Sequence, residues 1–301
     1  MEDDWLITEA SSFQLETTKY FKPVISAILN LTPDHLNRHH TMDAYGKAKA
    51  KIFENQSEDC FLIINYDDKV CFGLAKNCKA KIVPFSRLEK LPFGVFLDEE
   101  SIVIKPDEES EEEIKICDKS ELKIIGNHNV ENVLAAVGIS YFAGIEPETI
   151  KQAVIDFRGV EHRIEYCGMI DGVKYYNDSK GTNVDAAITA LKAIEKNIIL
   201  IAGGDGKGQD FSEFAREFEG RVKYLILLGK DAPAIKKAAE EVGFKNIIEA
   251  KNIPECVLAA SRVAEAGDTV LLSPACASWD MYDNYEQRGE HFKDCVENLG
   301  K

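Results

Sequence analysis

The sequence predicts an α/β protein of two domains, the second a Rossmann-like, doubly wound and mostly parallel sheet. Three observations carry this. Beyond about residue 160, short apolar runs alternate with stretches of helical periodicity, the pattern of βαβ units. The length of 301 residues suits two domains, each able to bury its own core. Gly- and Asp-rich turns follow Ala202 and Leu272, at the carboxyl ends of predicted strands, where such sheets bind ligands. The domains are expected over residues 1–160 and 161–301.

In the first domain, residues 6–9 read as the end of a short strand, and residues 24–29 as a buried strand running into a loop at Asn30. A helix is expected from about Thr41, with further strands at 61–65 and 81–85. From residue 93 to 125 short apolar runs alternate with turns. The acidic stretch 107–113 there is expected as an exposed hairpin tip or solvated loop. Val130, Val133, Leu134, Val137 and Tyr141 recur at helical spacing, which predicts a helix over 129–143.

The second domain opens on a hairpin, 164–168 returning through 173–176 about the dipeptide Asp171-Gly172. Helices at 183–192, 210–218, 232–242 and 253–266 then alternate with strands at 198–202, 224–228, 246–248 and 269–272. A helix over 285–298 closes the chain. There is no internal repeat.

Composition narrows the function. A net charge of −16 opposes a general nucleic-acid or anionic-membrane surface, so neither is an expected partner. No apolar run approaches the roughly 20 residues of a membrane span, and the N-terminus carries no basic-then-apolar signal. The 8 cysteines form neither a CxxC pair nor a zinc spacing, which suits free thiols in a reducing cytoplasm.

Candidate chemistry begins in the first fifty residues. Glu9-Ala10-Ser11-Ser12-Phe13-Gln14-Leu15-Glu16 is followed by Asp34-His35-x-x-Arg38-His39 and by Tyr45-x-x-Ala48-Lys49. Met42, Tyr45, Ile52 and Phe53 form an apolar stripe at the 3.6-residue period, and Lys49 lies within it, whereas Lys47 and Lys51 fall on the opposite face. A core-facing lysine must snorkel, pair or change its chemistry. Glu9 and His35 each follow an apolar run, and a carboxylate with an imidazole suits Mg²⁺, which prefers hard ligands and retains waters.

Three loops mark the second domain. Asn177-Asp178-Ser179-Lys180-Gly181-Thr182-Asn183 precedes a helix whose N-terminus favours an anion. Gly203-Gly204-Asp205-Gly206-Lys207-Gly208 lets a ligand approach the backbone, yet fits neither a Walker A loop nor G-x-G-x-x-G. Ser273-Pro274-Ala275-Cys276-Ala277-Ser278 follows the last strand, with Tyr285-Glu286-Gln287-Arg288-Gly289 close behind.

Together with His128-Asn129-x-x-Asn132 and His162-Arg163, these segments resemble the Mur ligase family from Glu9 to Arg288, in the family's order. A D-N-P-R signature typical of the lysine- and diaminopimelate-adding branches is absent, which favours the glutamate-adding branch. Position 10 is Ala where a larger apolar residue is usual. The resemblance implies an ATP-dependent ligase that adds D-glutamate to UDP-N-acetylmuramoyl-L-alanine through an acyl phosphate, in peptidoglycan synthesis. A folylpolyglutamate-type ligase, or a non-catalytic chain that binds ATP or glutamate, is the alternative.

It further implies that Glu9 and His35 hold Mg²⁺ with a carbamylated Lys49, and that Lys49, His35 and Lys180 serve catalysis. Ser11 and Gln14 would face the muramoyl substrate. Asn129 and Asn132 would contact adenine, and Arg163 and Asp178 the rest of ATP. Thr182, Lys207, Ser278 and Tyr285 would bind D-glutamate. The family opens on a nucleotide-sugar-binding domain and a G-x-x-G-K-[ST] phosphate loop, both missing here. The expected fold is therefore a partial central ATP-binding α/β domain followed by the Rossmann-like domain. Its first sheet should show an exposed apolar edge. The chain alone should be inactive and prone to self-association, where the intact enzyme is a monomer.

Overall fold

The computed structural model describes residues 5–32, 35–109, 111–194 and 196–299. The chain divides into two compact units, Met1–Lys123 with Asn127–Phe157, and Arg158–Lys301 with Ile124–Gly126.

The first unit contains α1 (Ser12–Glu16), β1 (Ile25–Ile28), α2 (Leu36–His39), α3 (Met42–Ala50), β2 (Phe61–Asn65), α4 (Lys69–Gly73), β3 (Lys81–Ser86), β4 (Gly94–Asp98), β5 (Ser101–Lys105), β6 (Ile114–Asp118), α5 (Asn127–Phe142) and α6 (Pro147–Asp156). Its six strands lie in sequence order. β1 to β4 run parallel, and β5 and β6 add as an antiparallel meander. Leu62, Ile63 and Ile64 are wholly buried, because β2 is covered on both faces, which is why it reads as an unbroken apolar run. α5 packs against the sheet closely enough that a methyl group at Gly138 would meet Ile63 and Val95. Among the described residues β1 is an edge strand; Val24 and Leu29 flank it exposed, whereas Ser26 and Ile28 within it are buried. The acidic stretch is the exposed tip between β5 and β6, apart from residue 110, which lies outside the described residues.

Three expectations change here. Residues 6–9 form no strand; Leu6 and Ile7 are 90% and 93% exposed, since no described strand lies beside them to complete a ladder. α3 starts at its Thr41 cap but ends at Ala50, so Ile52 and Phe53 lie in the turn beyond it. Lys51 does not point away from the structure, because its ammonium donates to the Glu16 carbonyl at 2.8 Å. Four helices escape the periodicity, α1, α2, α4 and α6. α1 is nucleated by a Ser11–Gln14 capping box, and α6 by Pro147 in its first turn.

The second unit contains β7 (Glu165–Ile170), β8 (Val173–Asn177), α7 (Val184–Ile194), β9 (Ile198–Gly203), α8 (Ser212–Arg216), β10 (Val222–Leu228), α9 (Ala232–Glu241), β11 (Ile247–Glu249), α10 (Ile253–Val263), β12 (Thr269–Leu272) and α11 (Tyr285–Leu299). The strand order is β11-β10-β9-β12-β8-β7, parallel throughout except for β7. Along β9, Ile198, Leu200 and Ala202 enter the core with Leu191, Phe214 and Ile235 of α7, α8 and α9. Ile199 and Ile201 enter the opposite core with Val257 and Phe292 of α10 and α11. The sheet is thus doubly wound. From β9 the chain moves outward through β10 and β11, and α10 carries it back to β12 on the other side of β9. Strand order reverses between β9 and β12, where such folds form a ligand crevice. Among the described residues, no helix is long and apolar enough to cross a membrane.

Candidate functional site

The loops after β8, β9 and β12 emerge side by side at that reversal, and buried polar contacts bind them together. Asp178, 4% exposed, accepts the Ser273 hydroxyl at 2.7 Å and the Ile164 N–H at 3.3 Å, which ties the β8 loop to the β12 loop. Burial pushes its carboxyl up to about 7, outweighing those hydrogen bonds and the nearby Arg163 and Arg288 charges. Exposed Arg163 stands one residue before Ile164, whose amide meets Asp178. Half-buried Thr182 precedes Asn183, whose side chain caps α7 by accepting the Ala186 N–H at 2.8 Å.

The β9 loop owes its path to glycine. Gly203 and Gly204 sit at φ of 124° and 133°, and a Cβ would run into the carbonyl oxygens of Leu228 and Ala277 respectively. Asp205 and Ala277 exchange two N–H···O bonds of 2.9 Å, which fixes the β9 loop against the β12 loop. The Lys207 N–H, followed by Lys230, holds the Asp205 carboxyl below its usual range. The Lys207 ammonium rests 4.3 Å from the centre of the Trp279 ring, and that of Lys180 lies 5.8 Å from the Tyr285 ring. Ser278, between the loops, is buried.

In the sequence Arg288 stands only within its motif, with no role given to it there, yet it fastens the arrangement. It is 1% exposed; Nε donates to Ser179 Oγ at 3.0 Å, and Nη2 to the carbonyls of Ser179 at 2.8 Å and Cys276 at 3.1 Å. Burial lowers its pKa to about 10. A signal was present: Arg288, Phe292 and Val296 share one buried stripe of α11, a charge at a core position like that suspected at Lys49.

In the first unit the predicted residues are more open. Glu9 is exposed and outside any element. Ser11 and Gln14 are exposed and bond one another in the α1 capping box, Ser11 N–H to Gln14 Oε1 at 2.8 Å. His35 is exposed at φ 54°, its ring 4.9 Å from that of Phe13 and 6.2 Å from that of Tyr45. Lys49 is half-buried rather than sunk in the core, with Nζ 5.4 Å from the centre of the Tyr45 ring. The structure thus brings His35 and Lys49 to one aromatic ring. Asp34 lies outside the described residues. Asn129 is half-buried and Asn132 exposed on α5; the Asn132 amide donates to Asn129 Oδ1 at 3.5 Å.

A second polar cluster gathers Glu161, His162 and Glu290, whose ligand atoms lie within 4.8 Å of one another. The Lys293 ammonium already fills it, at 2.6 Å from Glu161, 2.8 Å from Glu290 and 3.3 Å from Glu165. Asn177, oriented by accepting the Ser179 N–H, donates to His162 Nδ1 at 3.0 Å, which leaves the ring proton on Nε2 facing Glu290. An occupied, proton-bearing cluster of this kind is structural.

Residues 1–140 match the Mur ligase middle domain, and residues 162–276 the Mur ligase glutamate ligase domain. The chain belongs to the Mur ligase family. Among Mur ligase relatives, a protein of Thermoanaerobacter sp. strain X514 called UDP-N-acetylmuramoylalanine–D-glutamate ligase is 48% identical over 300 residues. A protein of the same name from Clostridioides difficile strain 630 is 47% identical over 298 residues. Each alignment covers 99% of this chain and 65% of the relative, so the chain spans about two thirds of the length of these proteins. Among solved structures, a UDP-N-acetylmuramate-alanine ligase from Thermotoga maritima superposes with a TM-score of 0.64 at 18% identity, covering 96% of this chain and 62% of that one. A folylpolyglutamate synthase from the same organism gives 0.60 at 15% identity, covering 84% and 58%. At these identities the likeness is one of fold, and it agrees with the α/β architecture expected from the sequence.

Proposed function

We propose that this chain is the ATP- and glutamate-handling portion of a cytoplasmic ligase that joins D-glutamate to UDP-N-acetylmuramoyl-L-alanine in peptidoglycan synthesis, and so supports cell-wall biogenesis and division. One observation supports it most. Three loops meet where strand order reverses, and they present Lys180 and Lys207, which have no carboxylate partner among the described residues, in a chain of net charge −16. Unpaired lysines in such a field suit anionic substrates.

In the reaction, the terminal phosphate of ATP passes to the substrate carboxylate, giving an acyl phosphate and ADP. The amine of D-glutamate attacks the acyl carbon, and the tetrahedral intermediate expels phosphate to leave the amide. Little covalent work falls to the protein, whose residues place the partners and offset charge. Asn129 and Asn132 serve adenine, with Arg163 and Asp178 serving the rest of ATP. Lys180 offsets charge on the transferring phosphate, and Ser11 and Gln14 face the muramoyl substrate. Thr182, Lys207, Ser278 and Tyr285 receive D-glutamate, its side-chain carboxylate going to the Lys207 ammonium. Glu9 and His35 offer an exposed carboxylate and imidazole, a donor set that fits Mg²⁺ retaining its waters. Half-buried Lys49 would complete it as a carbamate, formed from its neutral amine and CO₂ with loss of a proton. Once bound, the ion would offset phosphate charge.

The test follows phosphate release by a full-length ligase that contains this chain, with MgATP, D-glutamate and UDP-N-acetylmuramoyl-L-alanine against MgATP, L-glutamate and a folate, together with calorimetric titration of the 301-residue chain with D-glutamate and with ATP. Saturable uptake of D-glutamate and release with the muramoyl acceptor are expected. Release with the folate alone, or uptake of L- but not D-glutamate, would overturn the proposal.

A further inference from the structure

Lys207 and Trp279 form a pair that neither the fold nor the reaction explains. Trp279 is 65% exposed, a large aromatic left in water at the rim of the three loops. Lys207 is also exposed, at φ 53°, its N–H held by Asp205 Oδ1 at 3.0 Å. The carboxylate that holds this N–H, Asp205, faces Lys230 at 3.4 Å, while the Lys207 ammonium rests on the indole face. The paired N–H···O bonds between Asp205 and Ala277 keep the two loops in this relation.

The choice of an aromatic partner has a consequence. A carboxylate would hold the ammonium and cancel its charge. An indole face restricts the side chain while leaving both the charge and its N–H donors available to a second anion. Lys180 of the β8 loop sits over Tyr285 in the same manner. Resting on the glutamate reading of these loops, we propose that Trp279 is a positioning residue. It holds the Lys207 ammonium, charged and unneutralised, where the side-chain carboxylate of the incoming amino acid arrives.

The chain has 2 tryptophans, so Trp5→Phe leaves Trp279 as the sole emitter. In that background without ligand, Lys207→Met should change Trp279 emission, because the ammonium no longer lies over the ring. Calorimetric titration with D-glutamate then reads the role. Trp279→Leu should weaken binding roughly 2- to 5-fold, or about 0.5–1 kcal/mol, and Trp279→Phe should restore much of it. In the Lys207→Met chain, Trp279→Leu should have no further effect, since the ring acts through the lysine. Unchanged emission in Lys207→Met would overturn the pairing. Parent-like affinity in Trp279→Leu, or effects that add with Lys207→Met, would overturn the positioning role. Absence of D-glutamate binding in every chain with the emission change intact would instead overturn the glutamate reading and leave the pairing standing.

Discussion

Replacing Asp178 by Asn should stabilise the second unit above neutral pH and leave it nearly unchanged in acid. The carboxyl is 4% exposed, and burial raises its pKa from 3.8 to about 7. Between those values the folded chain holds a proton that the unfolded chain has released. Stability therefore falls as pH rises through this window, and the loss is complete above about pH 7. A displacement of that size corresponds to about 4 kcal/mol. Asn keeps the shape and both contacts, its oxygen accepting the Ile164 N–H and its NH₂ donating to the Ser273 hydroxyl. Exchanging a charged for a neutral acceptor costs about 1 kcal/mol, so the net gain near pH 8 should be about 2–3 kcal/mol. The assay is urea unfolding in the Trp5→Phe background, where Trp279 emission reports the second unit, at intervals from about pH 4 to about pH 8. Stability curves of the Asp178→Asn variant and its parent that run parallel across this range would refute the assignment of a buried, proton-holding carboxyl.

Two further outcomes concern the same loops. Gly203→Ala places a methyl group against the Leu228 carbonyl at a φ of 124°, and should cost more than about 2 kcal/mol or prevent folding, read as a lowered urea midpoint. Arg288→Met orphans the buried carbonyls of Ser179 and Cys276 while relieving the cost of burying a guanidinium whose Nη1 has no partner. The same assay should show a net loss of about 2–4 kcal/mol. Arg288→Lys should not restore it, because a single ammonium cannot reproduce the fork that meets both loops.

Much of the fold is legible because burial leaves a periodic trace in the sequence. β2 and β9 are covered on both faces and read as unbroken apolar runs, while α5 and α11 repeat at the helical period. Lys180, Lys207 and Ser278 are legible as site candidates for the same reason, since each stands in a polar loop just after such a strand. Residues 6–9 mislead because an apolar run becomes a strand only beside a partner, and the run itself does not name one. Within residues 93–125, β4, β5 and β6 read only as apolar runs and turns, since three short strands acquire their identity from pairing with one another.

The site's internal bonds belong to the tertiary structure alone. Asp178 meets Ser273 across 95 positions and Ser179 meets Arg288 across 109, because α10 returns the chain so that β12 lies between β9 and β8. Local sequence determined which segments are strands, which are helices, and which loops carry glycine and lysine, since those follow from side-chain periodicity and backbone freedom. Which lysine rests on an aromatic ring, and which carboxyl loses its water, depended on partners brought close by the sheet, and burial or pairing of a charge is a property of that neighbourhood rather than of the residue.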